Sequence, residues 1–112
     1  MIAGVVKKLA GDIAGSDAIF VSMLAGTSLE RLAELLGADK KIIRIMPNTP
    51  CAVGQGLTLV APNDRVTAEE LADFKALLSA SGLLDDLPEH LIDAASAVSG
   101  CGPAYAYMFV EA

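Results

Sequence analysis

Asn48 and Thr49 stand between two prolines in the run Met46-Pro47-Asn48-Thr49-Pro50-Cys51. Proline fixes its own φ and pushes the residue before it toward extended backbone, so Met46 and Thr49 are restricted as well. The amide and the hydroxyl are therefore held in place as hydrogen-bonding groups. A second run, Ser22-Met23-Leu24-Ala25-Gly26, brings small residues that let a flat ligand approach the backbone. The amides of a helix opening near Ser28 favour a carbonyl or an anion there. A third, Ser99-Gly100-Cys101-Gly102-Pro103, joins two helical stretches. Each run also has a plainer use. Asn48 and Thr49 can stabilise a turn with their own side chains, Ala25 and Gly26 can make a tight connection, and the third run combines glycines with a proline suited to a helix's first turn. Glu89 and Asp93 read as acids at a helix amino terminus, with His90 on the same exposed turn.

The two cysteines, Cys51 and Cys101, are far apart in a chain with one histidine, which leaves no zinc-ligand pattern. Each reads as a small apolar residue at a backbone corner. No catalytic thiol and no metal site is assigned. At 112 residues the chain has the length of one domain. The net charge of −6 argues against a nucleic-acid partner, and the few aromatics offer no stacking platform. No stretch is long and apolar enough to span a bilayer, and no secretory signal opens the chain, so a cytoplasmic location is expected. The 54% hydrophobic content suits buried layers or a surface meant for a partner.

These runs need elements to carry them. Ile2, Val5, Val6, Leu9 and Ile13 have the spacing of one helical face and predict an amphipathic helix over residues 2–13. Ala18 to Ser22 reads as a central strand covered on both faces. Thr27 to Glu30 has the form of a capping box, opening a helix that stops at a left-handed Gly37. Lys41 to Ile45 is a second strand, so the exits at Ser22 and Met46 fall on one sheet edge, where open parallel sheets hold ligands. Leu57 to Ala61 is a third strand, with a short connection compatible with antiparallel pairing. Thr67 to Glu70 is another capping box, opening a helix with Leu71, Phe74, Leu77 and Leu78 on one face. Leu83 to Leu87 reads as a short edge strand, and two helical stretches follow Pro88. The second, Ala104 to Ala112, is apolar all round and expects burial from every side. The fold class is α/β: a partial Rossmann-type sheet with flanking helices over residues 1–87, then the first helices of an all-α domain over residues 88–112. No Gly-x-Gly-x-x-Gly follows a strand, so a complete dinucleotide site is not encoded here.

Taken in order, Ser22 to Gly26, Ile45 to Pro50 and Asp93 to Tyr105 resemble pyrroline-5-carboxylate reductase, and the likeness covers essentially the whole chain. The resemblance implies reduction of 1-pyrroline-5-carboxylate to L-proline with NADPH or NADH, by a protein that forms homodimers or larger rings. It implies that Met23, Leu24 and Ala25 approach the nicotinamide, with Asn48 at the same cleft, and that Glu89 lies near the substrate. It implies too that a glycine-rich phosphate loop precedes Met1 and a Gly-Gly-Thr substrate loop follows Ala112. The chain alone is then expected to be inactive, with no catalytic residue of its own. Leu24 stands where an alanine is expected, and Cys101 where a serine is. The alternative is a non-catalytic association module using its apolar terminal helix.

Overall fold

The computed structural model describes residues 2–112. The amino-terminal helix is interrupted into α1 (Ile2–Lys8) and α2 (Ala10–Ala14). At the break, the Leu9 amide is shared between the carbonyls of Val5 and Val6. Its predicted apolar face is only partly used, since Ile13 is buried while Val5 and Leu9 are exposed. Lys40 fastens the end of α2, its Nζ donating to the carbonyls of Ala14 and Ser16 at 3.2 and 3.1 Å. A cation there satisfies carbonyls that the helix leaves free.

Strands β1 (Ile19–Ser22), β2 (Lys41–Pro47), β3 (Gly56–Pro62) and β4 (Gly82–Asp86) pair in chain order. β1 and β2 are parallel, β2 and β3 antiparallel, and β3 and β4 parallel. The antiparallel partner expected after the proline pair is present. β1, however, lies at the sheet's edge among the described residues rather than at its centre, and Val21 is exposed. An apolar run shows that a strand can be covered, but its neighbours decide whether it is.

Helix α3 (Leu29–Leu36) joins β1 to β2, and α4 (Ala68–Leu78) follows β3. The capping box of α4 is complete: Thr67 Oγ1 accepts from the Glu70 amide and Glu70 Oε2 from the Thr67 amide. At α3 the cap is Ser28 rather than Thr27, with Oγ accepting from the Arg31 amide at 3.1 Å and no reciprocal box. Either hydroxyl would serve; the backbone turns helical only after Ser28. Gly37 ends α3 with φ of +121° and ψ of +137°, outside the left-handed helical basin expected for it.

The core has two faces. Ile43, Ile45 and Val60 meet the partly buried Leu71, Phe74 and Leu78 of α4 on one, and full burial of a side chain such as Ile43 or Val60 contributes about 1.5–3 kcal/mol. Leu77 falls outside this stripe and is exposed, because residues 71, 74 and 78 follow the helical repeat and residue 77 does not. On the other face, Leu59 and Ala61 pack with Ile92 of α5 (Glu89–Ser99) and with Leu29 and Met46. Helix α6 (Gly102–Glu111) follows α5, and none of its residues is buried.

Candidate functional site at the carboxyl edge of the sheet

The parallel register, with Ser22 opposite Arg44, puts the exits of β1 and β2 on one sheet edge. At the first, Ser22 Oγ accepts from the Leu24 amide and Gly26 turns the chain with φ of +66°. A Cβ built on Gly26 meets nothing within 4 Å, so the turn is open to an approaching group. Beside it lies an open pocket of about 320 Å³, lined by Phe20, Ser22, Met23, Leu24, Leu32 and Ile42 among others. Met23 and Leu24 thus line one apolar pocket. Ala25, Asn48 and Glu89 lie outside its lining.

The second exit is more closed than its motif suggests. Asn48 Oδ1 accepts from the Leu57 amide at 2.9 Å and faces Cys51 Sγ at 3.7 Å. Its Nδ2 donates to the Ser99 carbonyl at the end of α5, at 3.1 Å. Both ends of the amide are therefore engaged within the chain. Thr49 opens a short 3₁₀ turn, Thr49–Val53, and is exposed. Cys51 sits over Gly56, where an added Cβ would lie 2.1 Å from the sulfur, and its Sγ is 3.5 Å from Thr58 Oγ1. Both cysteines are free thiols.

The amino terminus of α3 is not the open anion site expected from sequence. Glu89 Oε1 accepts from the Leu29 amide at 2.7 Å, so a carboxylate from α5 occupies the first free N–H of α3. Glu89 serves this neighbouring helix as well as opening its own, while His90 is exposed. The same oxygen accepts from Arg44 Nη1 at 3.1 Å, and Arg44 Nη2 donates to Asp93 Oδ1 at 2.6 Å. The Arg44 side chain is only 3% exposed. This arginine interrupts the apolar run Ile42-Ile43-Arg44-Ile45, and that interruption was the available signal; its partners, 45 and 49 residues later, carry none.

The arrangement can hold a flat, largely apolar group against Met23 and Leu24, with a carboxylate and a buried guanidinium at the foot of the loop. Residues 89–112 match the family model described as pyrroline-5-carboxylate reductase dimerisation. The chain is similar to the pyrroline-5-carboxylate reductase of Escherichia coli K12, 43% identical over 97% of this chain and 42% of that protein. It is also similar to that of Synechocystis, 47% identical over 84% of this chain and 35% of that protein. Among solved structures, the Plasmodium falciparum pyrroline carboxylate reductase with NADP bound aligns with a TM-score of 0.88 and 31% identity, over 98% of this chain and 44% of that one. The Coxiella burnetii pyrroline-5-carboxylate reductase aligns equally well, with a TM-score of 0.88 at 29% identity. The chain thus spans well under half the length of these relatives. Sequence and fold together make this chain similar to pyrroline-5-carboxylate reductases across the part of their length that it spans.

Proposed function

We propose that this chain supplies the nicotinamide side of a reductase that converts 1-pyrroline-5-carboxylate to L-proline with NADPH or NADH. The observation that carries the reading is the apolar pocket opening at the exit of a parallel strand, in a chain so similar to these reductases. The dihydronicotinamide, when bound, supplies the hydride for the C=N bond. Met23 and Leu24 back its flat ring, and Ala25 with Gly26 keeps the approach clear. Asn48 acts by shaping the cleft, since its amide is already engaged by Leu57 and Ser99. Glu89 lies toward the substrate, its carboxylate held at the start of α3. No residue of this chain is assigned a proton transfer.

The division at residue 88 follows the start of the dimerisation match at residue 89. Residues 1–87 form part of a dinucleotide-binding unit, and residues 88–112 open a helical unit through which two copies associate. The exposed apolar surface of α6, with Tyr105, Met108, Phe109 and Val110, supports homo-oligomers. No helix among the described residues is long and apolar enough to cross a membrane, and a cytoplasmic location without nucleic-acid partners suits the acidic charge.

The test measures NADPH oxidation with the imine, by the chain as it stands and by the chain extended to the length of its relatives. The extended form is expected to turn over and the chain itself to bind NADPH weakly or not at all. If neither form reduces the imine while the chain self-associates, the exposed α6 favours an association module instead.

A further inference from the structure

Arg44 has no explanation in stability alone. Its side chain is almost wholly inside, and Nε has no hydrogen-bond partner. A buried polar atom left so is destabilising. Well-packed apolar residues commonly do as well as a buried ion pair, or better, and the flanking residues of this strand are isoleucines. What the guanidinium does is geometric. Its planar fork takes Glu89 with one nitrogen and Asp93 with the other, and Asp93 is 66% exposed at the rim. Arg44 and the Leu29 amide both fall on the same Glu89 oxygen, Oε1. Among the described residues Oε2 carries no hydrogen bond, and the Glu89 side chain is 29% exposed.

We infer that Arg44 is a positioning residue for Glu89, committing Oε1 to the start of α3 and leaving Oε2 free for a protonated nitrogen on the substrate. The inference rests on the function proposed above for its ligand, but its geometric half stands apart from it. Three hydrogen bonds fix the loop between β1 and α3. Ser28 takes the Arg31 amide, Glu89 takes the Leu29 amide, and Arg44 holds Glu89 between them. Lysine keeps the charge without the fork, so it is expected to replace Arg44 only in part.

Native-state hydrogen exchange on Arg44→Met, Arg44→Lys, Glu89→Gln and Asp93→Asn reads the geometric half. Protection of the Leu29 amide is expected to fall roughly tenfold in Arg44→Met, less in Arg44→Lys, and by under about twofold in Asp93→Asn, with the Arg31 amide unchanged. Equal loss at both amides would show a general loosening of α3 and overturn the inference, as would unaltered protection of Leu29. Should Arg44→Met not fold, Arg44→Lys and Glu89→Gln carry the comparison. Kinetics on whichever form reduces the imine read the other half. Arg44→Met and Glu89→Gln should raise KM for the imine roughly tenfold, with KM for the nucleotide within about twofold. Unchanged imine KM overturns the substrate role. Absence of turnover in both wild-type forms counts against the proposed function, and the exchange result then decides the positioning.

Discussion

Replacing Ile92 by alanine tests whether α5 belongs to the core of the sheet. Ile92 is fully buried, in one cluster with Leu59 and Ala61 of β3, although it lies beyond the start of the dimerisation match. Truncation removes three carbons from a closed site whose lining comes from a strand, so little collapse can fill the space. Isoleucine-to-alanine changes in cores cost about 2–5 kcal/mol, and full enclosure places this one near 3–4 kcal/mol. Val98 on the same helix is 75% exposed, and Val98→Ala should cost under about 0.5 kcal/mol. Urea unfolding followed by far-ultraviolet circular dichroism measures both, and exchange of the β3 amides reports whether the sheet loses the same free energy as the helix. A loss under about 1 kcal/mol for Ile92→Ala would refute the reasoning, as would a loss confined to α5 with β3 protection intact.

Other expectations follow from single features. Lys41 donates to Glu70 Oε1, and this bond, with the Thr67 amide behind it, holds the Glu70 carboxyl below its ordinary value of 4.5. A depressed carboxyl stabilises the fold above its unfolded value and loses that contribution as pH falls through the folded one. The advantage of wild type over Glu70→Gln in thermal unfolding should be full at neutral pH and vanish in acid; a difference that grows in acid contradicts it. Gly82→Ala should cost about 3 kcal/mol or more in urea unfolding, because φ is +127° and the new Cβ would lie 2.2 Å from the Gly56 carbonyl oxygen. Gly102→Ala, with nothing within 4 Å at the start of α6, should be neutral or stabilising by about 0.4–1 kcal/mol. Phe109→Asp, at a side chain 86% exposed, should weaken self-association in sedimentation while leaving the urea midpoint of dilute protein unchanged.

Strands and capped helices were legible because their signals are local. The apolar run around Ile43 and the Thr67 to Glu70 box need only a few neighbouring residues to be read. Ser28 was displaced by one because two hydroxyls stand side by side, and only backbone geometry chooses between them. The edge position of β1 was not legible, since composition does not say which strands lie alongside. At the site, the pairing of the two exits was read correctly from the parallel order. The engagement of Asn48 was not, because Ser99 lies 51 residues further on. Arg44 shows the same limit: one charge inside an apolar strand signals a partner without naming it.

Helix α5 is pinned to β2 and the turn after it at both ends, Arg44 with Glu89 and Asp93 in its first half and Asn48 with Ser99 at its end. It behaves mechanically as a splint. Helix α6, reached through Gly100 to Gly102 and touching chiefly α5 with none of its residues buried, is the free arm beyond the splint. A load applied to the apolar surface of α6 would therefore pass along α5 to the carboxyl end of β2.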